Sequence, residues 1–147
     1  MRTNAETAKE AIEIVCPGGL DRMEEYYTPT FHDHVNTMEF HGFEGARESV
    51  SLYRRLFADL KFTVDRTVAE GDYVATRWTL TGTNRGRPVT LTGNTLSRFE
   101  NGLIAEDWGS TDTVELARQL GVWRTLLMVA TEWRMLLKLS RRQVTRG

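Results

Sequence analysis

Residues 71–121 read GDYVATRWTLTGTNRGRPVTLTGNTLSRFENGLIAEDWGSTDTVELARQLG. This stretch holds three strand-like runs followed by a helical one. Asn84-Arg85-Gly86-Arg87-Pro88 joins the first two runs, and Asn101-Gly102, a strong short hairpin signal, joins the last two. A meander of this kind hides one face. We place Arg77, Thr79 and Thr81 on that hidden face, with Glu106, Trp108 and Asp112 closing the last run. Buried polar groups cost free energy unless they are paired or wetted, so a sheet that keeps them lines a pocket rather than a solid core. By alternation Trp78 then points outward, between Val74 and Leu80, and forms an apolar patch suited to a dimer interface.

Upstream of this block, residues 61–69 alternate as a fourth strand that breaks at Glu70-Gly71-Asp72. Before it come three helices, predicted over 5–15, 20–27 and 45–58. Thr3-Asn4-Ala5-Glu6 is a capping-box pattern that opens the first, and Pro17-Gly18-Gly19 ends it. The third turns Val50, Tyr53, Leu56 and Phe57 inward. A short extended piece, residues 31–36, separates the second and third. Helices followed by sequential antiparallel strands indicate an α+β fold: a curved antiparallel sheet wrapped on N-terminal helices as a cone with an internal pocket. Residues 1–121 make this domain. Residues 122–147, apolar over much of a helical circumference and basic toward the end, form a C-terminal helical extension of it.

The chain has 147 residues, suited to a single core, and a net charge of −1, which gives no general attraction to nucleic acid. One cysteine, Cys16, leaves no intramolecular disulfide to form; it reads as a small buried residue that closes the first helix. The N-terminal MRTNAETAKEAIEIV lacks the apolar segment of a leader, and no run reaches the ~18 apolar residues of a membrane span. A cytoplasmic protein with no membrane association is expected.

Several patterns together resemble the SnoaL-like polyketide cyclases of the NTF2-like (ketosteroid isomerase-like) superfamily. They are Gly71-Asp72-x-Val74-Ala75-x-Arg77-Trp78-Thr79-x-Thr81-Gly82-Thr83, Thr92-Gly93, Arg98-Phe99-x-Asn101-Gly102-x-Ile104, Glu106-x-Trp108-x-x-x-Asp112 and Arg118-Gln119-Leu120-Gly121. Upstream, Val35-Asn36 and Gly42-x-x-Gly45 also fit. The resemblance implies an NTF2-like cone, usually oligomeric, with a deep pocket for a hydrophobic, often polycyclic ligand. It also implies aldol-type ring closure without metal or organic cofactor. The family's acid/base aspartate falls on Gly109 and its pocket histidine falls near Thr95, while its second aspartate is kept as Asp112 and a pocket asparagine as Asn36. Compared with the limonene-type epoxide hydrolases, Arg77 and Asn36 match but Thr79 stands where an aspartate is expected.

Aldol chemistry needs a base for the proton alpha to a carbonyl and donors for the enolate oxygen. Asp112 is read as the acid/base, or as the cap of the helix that follows it. Arg77 is read as the oxyanion or carboxylate partner, or as half of an ion pair with Glu106 or Asp112. His34 is a second acid/base candidate, or an exposed loop histidine, and Asn36 alternates with it on one side of the extended piece. Trp108, Thr79, Thr95, Tyr53 and Glu106 are the candidate substrate contacts. His32, His34 and His41 include an H-x-H pair but no well-spaced third ligand, so no metal is expected. The partners expected are a hydrophobic small molecule and further copies of the chain, as a homodimer or higher oligomer. The function expected is a cofactor-independent cyclase, or a related isomerase, acting on a hydrophobic cyclic intermediate. The alternatives are a non-catalytic small-molecule-binding protein of the same fold and a relative of the epoxide hydrolases or hydroxylation components.

Overall fold

The computed structural model describes residues 2–121 and positions 123, 126, 127 and 130. It divides at Asp112/Thr113 into two units. In the second unit, α3 (Thr113–Leu120) buries Leu116 and Leu120 and pairs Arg118 with Glu115 at 2.6 Å. Most of the C-terminal extension expected over 122–147 lies outside the described residues; the four described positions there are helical.

The first unit opens with α1 (Asn4–Glu10). Thr3 and Glu6 satisfy each other's backbone N–H groups, so the capping box forms as the sequence indicates. The helix then widens into a π-helical turn, Ala11–Val15, which Cys16 closes by donating its N–H to the Ala11 carbonyl. A 3₁₀ helix covers Leu20–Glu25 and α2 covers Gly42–Leu56, in place of the expected 20–27 and 45–58. The six strands are β1 (Tyr27–Val35), β2 (Met38–His41), β3 (Lys61–Glu70), β4 (Tyr73–Asn84), β5 (Arg87–Glu100) and β6 (Leu103–Thr111), in the order β2-β1-β6-β5-β4-β3. All pairings are antiparallel except β1 with β6, which is parallel. The predicted extended piece is thus a full strand. It pairs with β2, which the sequence reading did not contain, and lies beside the last strand of the meander.

The core joins Ala8, Ala11, Val15, Met23, Tyr26, Tyr27, Phe31, Ala46, Val74, Phe99 and Ile104, so α1, its π turn, the 3₁₀ helix and α2 cover the concave face of the sheet. The meander's faces are the reverse of the expected ones. Val74, Thr76, Trp78 and Leu80 point inward, and Tyr73, Ala75, Arg77 and Thr81 are exposed. The cause is ordinary alternation: burying Val74, Trp78 and Leu80 removes far more apolar surface from water than burying Arg77, Thr79 and Thr81 would. Trp78 is 4 % exposed, so it supplies no outer apolar patch. On the outer face Val68, Tyr73, Leu96 and Trp108 are exposed instead.

Trp78 lies flat across its β5 partner Gly93, where an added Cβ would stand 2.2 Å from the indole ring and 2.6 Å from the Ser110 carbonyl oxygen. Only glycine leaves room for the ring there. Gly93→Ala is expected to cost about 1–3 kcal/mol, the usual penalty of overpacking, read as a lower urea midpoint with a changed tryptophan fluorescence. An unchanged midpoint and spectrum would mean that Trp78 does not lie over Gly93.

Candidate functional site

The parallel pairing of β1 with β6 sets Asp33 opposite Asp107. On β1, Phe31, Asp33 and Val35 face inward while His32 and His34 face out. On β6, Asp107, Gly109 and Thr111 face inward while Glu106 and Trp108 face out. The two aspartates therefore share one cavity of about 70 Å³, partly open, whose other walls include Cys16, Met23, Tyr27, Tyr53, Phe62 and Trp78. The lining is mainly apolar, and among the described residues the two carboxyl groups are its only ionisable acids stronger than a thiol or phenol.

Their electrostatics differ. Asp107 is 8 % exposed; burial, and then the neighbouring charge of Asp33, push its pKa up to about 8 against the opposing hydrogen bond with Ser97. Burial also raises Asp33, to about 6, against a hydrogen bond with Ser49 of α2 and the nearby His34. Both proton affinities are raised and that of Asp107 is raised further, so Asp107 is the stronger proton holder of two carboxyl groups set in register on neighbouring strands. Oδ1 of Asp107 is buried with no hydrogen-bond partner among the described residues, so nothing compensates a negative charge there and the protonated form is favoured.

Tyr27 and Cys16 line the same cavity. Burial and the two aspartates hold the phenol pKa well above its ordinary value and raise the thiol pKa too. Both stay protonated, which leaves Tyr27 as a neutral donor and Cys16 as a poor nucleophile. Cys16 is half-buried and its thiol pKa is raised by burial, so a thiol reagent such as a disulfide dye is expected to label it in the native protein well below the rate of a small free thiol. Labelling of the native protein at the rate of a small free thiol would show that the thiol is not enclosed.

The residues expected from the sequence divide between the two faces. Tyr53 lines the cavity, and its hydroxyl bonds Thr111 Oγ1 at 2.9 Å. Thr95 is on the inner face and accepts a 2.9 Å hydrogen bond from Trp78 Nε1. Asn36 follows β1 with φ 53°, a left-handed conformation that asparagine tolerates, and its Oδ1 accepts from the Thr111 N–H at 3.1 Å. It ties the end of β1 to the end of β6 beside the cavity. Asp112 is exposed, one residue beyond the cavity wall, and its N–H donates to the Thr92 carbonyl.

Arg77, Thr79, Glu106, Trp108 and His34 lie on the outer face, away from the cavity, which corrects the expected pocket. Arg77 stands in register with Arg66 and Asn94 in an open outer groove. Thr79 bonds Asp65 Oδ2 at 2.8 Å. Glu106 bonds His34 at 2.9 Å and Arg98 at 3.3 Å, and His34 stacks on Trp108 with centroids 5.5 Å apart. The alternation that puts Trp78 inside carries these side chains out. Asp33, Asp107 and Tyr27 were missed; the available signal was their parity with Phe31, Val35 and Ala105, apolar residues two or four positions away on their own strands.

The family model of the SnoaL-like polyketide cyclases matches residues 5–120. No curated protein sequence matches the chain. Among solved structures, the chain is similar to wild-type IdmH, a candidate polyketide cyclase from Streptomyces antibioticus, with 27% identity over 82% of this chain and 99% of that one and a TM-score of 0.73. It is similar to TsrD from Streptomyces laurentii, with 26% identity over 80% of this chain and 92% of that one and a TM-score of 0.67. A protein with a ketosteroid isomerase-like fold from Catenulispora acidiphila, in complex with trimethylamine, shares the fold at 15% identity over 74% of this chain and 85% of that one, with a TM-score of 0.60.

Proposed function

The chain belongs to the SnoaL-like polyketide cyclase family, and from that premise we propose that it is an acid/base cyclase or isomerase whose working pair is Asp33 and Asp107. The observation that carries this reading is the pairing of two carboxyl groups in register, with unequally raised proton affinities, in a single, mainly apolar cavity.

The steps follow from the two proton affinities. Asp33 takes the proton alpha to a substrate carbonyl, and Tyr27 stabilises the enolate oxygen with its hydroxyl. The enolate carbon attacks a second carbonyl of the same molecule, forming the ring bond, and the oxygen of that carbonyl takes the proton of Asp107. Asp33 is now protonated and Asp107 ionised. Asp107 is the more basic of the two, so the proton passes to it and the resting state returns. If the enolate is reprotonated at another carbon instead, the same pair performs an isomerisation. No external redox partner enters the balance.

A cavity of about 70 Å³ holds only the reacting end of a substrate, so the body of a polycyclic molecule would extend outside it. The lining suits a hydrophobic molecule with two carbonyl groups rather than a charged one. The alternative, a non-catalytic binder, is separated by experiment. The bicyclic ketone 2-tetralone in D₂O would be followed by mass spectrometry for exchange of its alpha protons. Exchange above the buffer rate that is lost in Asp33→Asn is expected. Saturable binding of the ketone, seen as a thermal shift, with exchange at the buffer rate would instead support a binding protein.

A further inference from the structure

On the outer face of the same two strands, a second cluster stands back to back with the aspartates. β1 presents His32 and His34, β2 presents Glu39 and His41, and β6 presents Glu106. The register makes His32 the direct neighbour of both His41 and Glu106, and His34 the neighbour of Glu39. Thus H-x-H on one strand meets E-x-H on the next, and a further carboxylate arrives from the parallel strand, which sequence spacing does not reveal.

We propose that His32, His34 and Glu106 form a binding site for a divalent transition-metal ion of the zinc type. Nε2 of His34 lies 2.9 Å from Oε1 of Glu106, and Nδ1 of His32 lies 3.8 Å from the same oxygen. Ligand atoms about 2.0–2.2 Å from a tetrahedral ion are separated by a little over 3 Å, so small side-chain rotations close the triad on one ion. The cation takes the place of the proton that now lies between His34 and Glu106. All three side chains are about three-quarters buried, with relative exposures of 26 % and 23 % for the histidines and 23 % for Glu106, so they are held rather than waving in solvent.

The groups around the triad match what metal ligands need. A metal-bound histidine usually donates its other ring N–H to a carboxylate, which fixes its tautomer. Here one carboxylate stands near both rings, just beyond hydrogen-bond distance: Glu39 Oε2 is 3.6 Å from Nε2 of His32, and Oε1 is 3.8 Å from Nδ1 of His34. Nε2 of His32 is buried with no hydrogen-bond partner among the described residues, and ligation at Nδ1 fixes a proton on Nε2 for Glu39 to accept. Arg98 holds the second oxygen of Glu106 at 3.3 Å, orienting the first toward the histidines. His41 stacks on His32 at 4.1 Å and Trp108 on His34 at 5.5 Å, which restrains both rings. Three protein ligands leave a coordination position for water or for a group from outside.

The test is titration of the full chain with ZnCl₂ by calorimetry, alongside thermal unfolding with and without EDTA. One equivalent is expected to bind with a raised unfolding temperature that EDTA reverses. His34→Gln and His32→Gln should each weaken binding at least ~100-fold, and Glu39→Gln about 10–100-fold through the loss of orientation. His41→Ala should change it only a few-fold. The absorption of Co²⁺ added in place of zinc reads the nitrogen and oxygen ligands in the unmutated protein and does not depend on how the variants fold. No binding at 100 µM zinc on the order of a weak surface site, or binding unchanged in His34→Gln, would overturn the assignment. Binding that depends on His41 but not on His34 would also overturn this ligand set.

Discussion

Asp33→Asn is expected to lower alpha-proton exchange and ring-closing turnover by at least ~10²-fold while leaving the fold intact, because general acid–base catalysis contributes about 10²–10⁴-fold. Asparagine is nearly isosteric and can keep a hydrogen bond with Ser49, but it cannot accept the substrate proton. Asp107→Asn should have an effect of similar size for a different reason: the protonated acid and the acceptor that restores the resting state are both lost. Since the two groups act as one unit, the double variant should be little worse than either single one. The pH profile should rise through the pKa of Asp33, about 6, and fall through that of Asp107, about 8, with both apparent values belonging to the pair. By contrast, Asp112→Asn should be nearly silent in turnover, since Asp112 is exposed and outside the cavity wall. A hundredfold loss in Asp112→Asn with normal activity in Asp33→Asn would return the chemistry to the residue that the sequence first suggested.

The second large effect is on stability and needs no substrate. Asp107 ionises near its ordinary 3.8 when unfolded but only at about 8 when folded, so between these values the native state alone binds the proton. Stability contributed by this group is therefore full below about pH 4, falls as pH rises, and is fully lost above about pH 8. A shift from 3.8 to about 8 at ~1.4 kcal/mol per unit amounts to something on the order of 6 kcal/mol at a site that is 8 % exposed. Asp33 adds to the loss in the same direction below about pH 6. Carboxylates held low by ion pairs, such as Glu115 beside Arg118, act in the opposite sense but titrate below about pH 4.5, outside the window. Urea melts at pH 5 and pH 8.5 should show the wild type losing stability, and Asp107→Asn should lose several kcal/mol less. Equal losses in the two proteins would show that Asp107 ionises normally in the fold.

The fold was largely legible in the sequence because its signals are local. Asn101-Gly102 adopts φ 51° and 81°, and Arg85-Gly86 adopts 48° and 80°, the positive values that tight hairpin turns demand. The capping box at Thr3 and the helix breaker at Pro17 act within a few residues. What could not be read is nonlocal. β2 has only four residues, and the parallel pairing of β1 with β6 joins segments about seventy positions apart, with no sequence mark of its own. The candidate site depends on that pairing, since Asp33 and Asp107 meet only through it. The face of the meander was legible and was misread. Arg77 and Thr79 are polar groups that suggest a ligand-lined inner face, but the apolar weight of Val74, Trp78 and Leu80 decides the orientation. Asp107 was hidden by its more conspicuous neighbours Glu106 and Trp108, and Asp33 by the H-x-H pair that flanks it.

The pairing of an acid with a base is tested most directly by infrared difference spectroscopy of wild type against Asp107→Asn. At pH 7 the wild type should show the carbonyl stretch of a protonated carboxylic acid that the variant lacks, and the band should vanish as pH rises through about 8. A difference spectrum containing only carboxylate bands at pH 7, with the acid band emerging near the ordinary aspartate value of 3.8, would contradict it.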